Sequence, residues 1–140
     1  MSSTAYEELY IGMQESFRKI ITDGEAALYA GLVGDNSIFA MADGAADCTQ
    51  APKPRANHLL LVGIVGGLLN TRFPGPGSQC TNIQFEILAP VFTGDCIETV
   101  IELNHHDAEK HLATFKIQCY NQKGDQVITG QAVMLVPLKI

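Results

Sequence analysis

Asn57-His58-Leu59-Leu60-Leu61-Val62-Gly63-Ile64-Val65-Gly66-Gly67-Leu68-Leu69 is the stretch on which the architecture turns. Asn57 is suited to cap a helix, because its side-chain oxygen can satisfy one of the free amides of a first turn. From Leu59 to Leu69 no residue carries charge, and Gly63, Gly66 and Gly67 leave room for neighbouring backbone. A helix without a polar face is buried on all sides. The run is too short to span a bilayer, which takes about 20 apolar residues. In a chain of 140 residues such a helix has to be wrapped by a sheet.

The residues that follow supply that sheet. Pro74-Gly75-Pro76-Gly77 reads as a turn. Ile83, Phe85 and Ile87 then alternate with Asn82, Gln84 and Glu86, and Ile97, Ile101 and Leu103 share a parity opposite Glu98 and Glu102. Ala113, Phe115, Ile117 and Cys119 alternate with Thr114, Lys116 and Gln118, and Ile128, Ala132, Met134 and Val136 share one face of a last strand. Each is a period-two pattern with one wet face. Thr93-Gly94-Asp95 and Asn121 to Asp125 are turn chemistry.

Upstream, Tyr10 to Ile21 reads as an irregular strand, and Thr22-Asp23-Gly24-Glu25 as a capping box that opens a helix running to Leu32. Gly34 is its stop. Ala42 to Ala46 suggests a short helix, and Pro52 and Pro54 a loop. The order is strand, helix, helix, then long antiparallel strands. That is an α+β fold in which a curled sheet wraps the apolar helix. No repeat or linker divides residues 1–140, so one domain is expected.

Composition narrows the functions. Hydrophobic residues make up 46% and charged residues 17%, as in an ordinary globular protein. A net charge of −6 argues against non-specific nucleic-acid or anionic-membrane binding, which needs a basic face. Cys48, Cys80, Cys96 and Cys119 form no CxxC pair and read as free thiols of a reducing compartment. The polar, acidic start lacks the features of a signal peptide, so a cytoplasmic protein is expected.

Together, in order and spacing, several segments resemble the MaoC-like hydratases of the hotdog fold, which include (R)-specific enoyl-CoA hydratases. The segments are Ile11-Gly12-Met13 through Thr22, Tyr29 to Asp35, the apolar helix ending Gly66-Gly67-Leu68-Leu69, Pro74 to Ser78 with Phe85, Pro90 to Asp95, and Asn121 to Gly124 with Thr129 to Val133. The resemblance implies acyl-CoA or acyl-carrier-protein thioesters as substrates. It implies no cofactor other than the coenzyme A or phosphopantetheine of the substrate, and a dimer, with itself or with a related hotdog subunit.

The family's catalytic signature is Gly-Asp-x-Asn-Pro-x-His, whose Asp and His hold the water that adds to an enoyl thioester. Here Asp35 matches the Asp and, after a one-residue deletion, Asn36 the Asn. Phe39 stands at the His, and Ala40 would stand there without the deletion. The family's His-Gly at the start of the buried helix appears as Asn57-His58, and a serine often found further along that helix as Gly66.

Hydration needs a base for water, an acid for the α-carbon and donors for the enolate oxygen. Asp35 is the candidate base; its plainer role is to close the turn after a helix. Phe39 transfers no proton and is either a packed aromatic or the wall of a drier pocket. His58 is the candidate replacement acid, or else a hydrogen-bonded residue of a helix start. Asn57 is a cap or a carbonyl contact. Arg55, with Lys53 and Arg72, is a candidate for the phosphates of the carrier or an ordinary surface charge. His105, His106 and His111, with Asp107 and Glu109, match no zinc spacing and read as a polar turn. Three functions are in contention: a hydratase or dehydratase, an inert acyl-thioester-binding subunit, and a thioesterase.

Overall fold

The computed structural model describes residues 6–35 and 55–137. Asn36, Phe39, Cys48, Lys53 and the suggested short helix Ala42–Ala46 lie outside them. A 3-10 turn at Tyr6–Glu8 leads to β1 (Gln14–Ile20) and α1 (Asp23–Val33). After the undescribed segment come β2 (Arg55–Ala56), α2 (His58–Thr71), β3 (Gln79–Ile87), β4 (Val91–Phe92), β5 (Cys96–Asp107), β6 (Leu112–Tyr120) and β7 (Gln126–Leu135).

Five strands form one antiparallel sheet in the order β1-β5-β6-β7-β3, and β2 pairs with β4 beside it. The expected parities hold in the central strands. Ile97, Ile101 and Leu103 on β5, Phe115 and Ile117 on β6, and Ile128, Ala132 and Met134 on β7 are all buried. They meet Leu61, Val65 and Leu69 of α2, and Phe73 packs edge-on against Phe115 with centroids 5.3 Å apart. Each such side chain, once buried, contributes about 1.5–3 kcal/mol. The hotdog arrangement, a sheet curled round an apolar helix, is therefore present.

Three details differ from the sequence reading. First, β1 starts at Gln14, because Met13 N–H donates to Tyr10 C=O at 3.0 Å and closes a turn where a strand was expected. Second, α2 keeps one bare stripe. Leu59 is 58% exposed, and Gly63, Gly67 and Asn70 are exposed with it, one turn apart. Among the described residues nothing lies within 4 Å of a Cβ placed at Gly63, Gly66 or Gly67, so these glycines admit no close neighbour in the single chain. Third, β3 is an edge strand whose Ile83 and Ile87 are 40% and 49% exposed. Its apolar parity is only partly covered: Phe85 packs against the core, while Ile83 and Ile87 remain exposed.

Gly130 is a different case. It sits opposite Phe85 in the β3–β7 ladder, and a Cβ there would lie 2.1 Å from the Gln84 carbonyl oxygen. Only a residue without a side chain lets the edge strand and the Phe85 ring approach this closely.

Local signals shape α1 as expected. Thr22 Oγ1 accepts from Glu25 N–H at 3.1 Å, and Glu25 Oε1 accepts from Thr22 N–H at 3.1 Å, a complete capping box. The helix stops at Gly34, whose φ of 74° suits a residue without a Cβ. No helix among the described residues is long and apolar enough to cross a membrane.

Candidate active site

Asp35 is the first residue past the stop of α1, and its N–H donates to Ala30 C=O at 3.0 Å. The turn aims its carboxylate at the start of α2. There Asn57 Nδ2 donates to Asp35 Oδ2 at 2.5 Å, while Asn57 Oδ1 accepts from Leu59 N–H at 2.8 Å. The two partners settle which end of the Asn57 amide is oxygen. Asn57 is therefore the cap of α2, the first of the two roles expected of it, and its Nδ2 turns to a carboxylate, that of Asp35, rather than to a carbonyl.

This arrangement sets a half-buried carboxylate beside the positive end of a 14-residue helix, where free amides favour negative charge. An ionised Asp35 and a developing enolate oxygen have the same preference for that place.

His58 is the first residue of α2 and is half-buried. Its Nε2 lies 3.0 Å from the Ala89 carbonyl oxygen, in the link between β3 and β4. A carbonyl only accepts, so Nε2 carries the proton. Nδ1 is then the nitrogen left for acid–base work. Arg55 is exposed on β2, and its guanidinium lies 6.0 Å from the centroid of the Phe92 ring, its partner on β4.

The remaining candidates are spread more widely. Gly66 lies eight residues along α2 from His58, about 12 Å at the helical rise. Arg72 caps the far end of α2, about 22 Å from Asn57 by the same measure, and so stands apart from Asp35. Asn36 and Phe39 lie outside the described residues. The histidine-rich hairpin serves the chain's own packing. Tyr6 Oη is 3.1 Å from His106 Nδ1, and the Tyr6 ring stands edge-on to His111 at 5.1 Å. No group of three or more His, Cys, Asp or Glu is placed to hold a metal among the described residues.

Sequence reasoning missed one element of the frame. Asp95 is buried; its Oδ2 accepts from Phe92 N–H and its Oδ1 from Gln122 Nε2, both at 3.0 Å. Gln122 Oε1 in turn accepts from Cys96 N–H at 3.2 Å. The clamp ties the β4–β5 turn, and thus the Arg55–Phe92 pair, to the β6–β7 hairpin. The signal was the acidic residue of Thr93-Gly94-Asp95, read only as a turn former.

No protein-family model matches the chain. Comparison with individual proteins is more informative. An (R)-specific enoyl-CoA hydratase of Rhodospirillum rubrum is 30% identical over 134 residues, covering 96% of this chain and 92% of the relative. The chain belongs to the MaoC-like hydratase family of the hotdog fold. Solved structures agree on the fold. The unliganded R-hydratase PhaJ1 of Pseudomonas aeruginosa superposes with a TM-score of 0.88 at 24% identity, over 98% of this chain and 88% of that one. The (R)-hydratase of Aeromonas caviae involved in PHA biosynthesis gives 0.83 at 27%, over 94% and 99%. In this family member the Asp35–Asn57 contact joins the two helices beside the only described residue, His58, that brings an imidazole to the start of α2.

Proposed function

We propose that this protein hydrates enoyl thioesters, or dehydrates the corresponding 3-hydroxyacyl thioesters, with Asp35 activating the water. The observation that carries this reading is the Asn57–Asp35 hydrogen bond at the start of α2, in a chain whose relatives bear the names of such enzymes. In the forward direction Asp35 takes a proton from water and the oxygen attacks the β-carbon. The electron pair moves to the thioester oxygen, where the amides of the helix start receive it. His58, as the imidazolium with Nε2–H on the Ala89 carbonyl, delivers the Nδ1 proton to the α-carbon. It thus takes the part of the histidine whose place Phe39 occupies. Asn36 and Phe39 are substrate-binding candidates by the resemblance alone, Gly66 leaves room for the substrate along α2, and Arg55 meets the anionic carrier. The carrier, coenzyme A or phosphopantetheine, is part of the substrate, and no other cofactor is required.

We also propose that the working unit is a pair of hotdog chains joined along β3. Among the described residues no strand pairs with its outer side, and Ile83, Ile87 and Leu88 are exposed on or beside it. A cytoplasmic location accords with free thiols at Cys80, Cys96 and Cys119.

Phe39 at the histidine position favours a second reading, an inert acyl-thioester-binding subunit that pairs with an active partner. A thioesterase using one carboxylate is the third. The deciding experiment follows the enoyl-thioester absorbance of crotonyl-CoA with wild type and Asp35→Ala. Loss of absorbance with wild type alone, without release of free thiol, establishes the hydratase. No change, together with co-purification of a partner chain carrying both Asp and His, establishes the subunit. Release of free thiol establishes the thioesterase.

A further inference from the structure

On the far side of α2 from Gly66, a cavity of about 460 Å³ lies between the helix and the β1–β5 edge of the sheet. Leu61, Ile64, Leu68 and Arg72 line it at spacings of three and four, one continuous face of the helix. Phe17 of β1 and Ile97 of β5 form the opposite wall. The volume falls within the range of small-molecule sites, about 300–1,000 Å³. The cavity is also independent of the expected pairing, because β1 and β3 are opposite edges of the sheet. A second copy joined along β3 leaves it open.

Its charge is specific. The chain has only nine Lys and Arg and a net charge of −6, yet Arg18, Lys19 and Arg72 all line this one cavity. Two of them are matched from within: Arg18 pairs with Glu98 at 3.2 Å and Lys19 with Glu25. The Arg72 guanidinium makes no hydrogen bond or ion pair with any described residue. The cavity is left with largely apolar walls, interrupted by the hydroxyl residues Ser16 and Thr99, and one exposed cation at the end of α2 that has no partner among the described residues. That is the complement of an apolar chain with a single anionic head, and it is a poor match for the several phosphates of coenzyme A.

We propose that this cavity is a second ligand site that binds a straight-chain fatty carboxylate, its tail between α2 and the β1–β5 edge and its head on Arg72. Such a ligand shares the acyl chemistry of the proposed substrate but occupies the opposite face of the helix. The site therefore stands whether or not the chain turns over thioesters.

Calorimetric titration of the full chain with octanoate, decanoate, dodecanoate and dodecanol, each below its aggregation limit, tests this. The dissociation constant is expected to tighten by about fourfold per added methylene until the cavity is filled. Dodecanol binds at least fivefold more weakly than dodecanoate. Arg72→Gln, a surface change that leaves the core intact, brings dodecanoate down to the level of dodecanol and leaves dodecanol unchanged. Ile64→Trp, which fills the cavity, removes both. Binding without saturation, without chain-length dependence, or unaltered in Arg72→Gln overturns the proposal. So does strict competition between dodecanoate and crotonyl-CoA in wild type, which would place the fatty acid in the Asp35 site. A chain inert towards crotonyl-CoA that still binds dodecanoate through Arg72 refutes the proposed reaction and leaves this site standing.

Discussion

The two helices are stabilised in opposite ways. Helix α1 buries only Ala26, and its Leu28 and Leu32 are 65% and 76% exposed. It is held by what surrounds its ends: the Thr22–Glu25 box, the Lys19–Glu25 ion pair and the Gly34 stop. Helix α2 has a single side-chain cap, and Leu61, Val65 and Leu69 are almost wholly buried. Local chemistry specifies the first and the core specifies the second. The Asn57–Asp35 hydrogen bond joins their ends, so the candidate site lies where a locally specified element touches a globally specified one.

The contrast is most easily broken at the core. Leu69→Ala is expected to cost about 2–5 kcal/mol in urea unfolding, because the cavity it leaves cannot collapse between helix and sheet. Leu32→Ala is expected to stay within about 0.5 kcal/mol. A cost above 2 kcal/mol for Leu32→Ala would show that α1 is covered in solution by a second chain, and would revise the contrast.

Where the two helices meet, stability and turnover are expected to separate. Asn57→Ala removes a cap worth about 1 kcal/mol. It also removes the Asn57–Asp35 hydrogen bond, and crotonyl-CoA hydration is expected to fall by about tenfold or more. Equal kcat/KM in wild type and variant would make the contact purely structural. Thr22→Ala, at the other end of α1, is expected to cost about 1 kcal/mol with hydration unchanged, as read by thermal unfolding beside the same assay.

The smallest effect is electrostatic. Hydrogen bonds from Lys19, then from Thr22, hold the Glu25 carboxyl down at about 2. A carboxyl whose folded pKa lies below its unfolded value stabilises the fold when ionised. Its contribution is complete above about pH 4.5 and is lost as pH falls towards 2. Glu25 is partly exposed, so salt screens the effect. Unfolding midpoints of wild type and Glu25→Gln are expected to converge over that interval; a constant gap down to pH 2 would assign the stability of the box to its hydrogen bonds alone.

Much of this could be read from residues a few positions apart. The box at Thr22 and Glu25, the Asn57 cap and the parities of β5 to β7 depend on neighbours within one turn or one strand, and all appear as expected. The bare stripe of α2 and the exposure of Ile83 and Ile87 on β3 did not follow, because period and hydropathy name an apolar face without saying whether anything covers it. The Asp35–Asn57 contact spans 22 residues and depends on where two helix ends meet, which neither end encodes. The Asp95–Gln122 clamp, 27 residues apart, escaped for the same reason.

By itself, then, the sequence determined the order of the two described helices and the long strands and the caps of both helices, since these are written in adjacent residues. Only the tertiary structure decided which carboxylate meets which helix end, which strands lie at the edges of the sheet and where a cavity lined by Arg72 lies. Those are distances between residues far apart in the chain, and they exist only once the sheet has closed round α2.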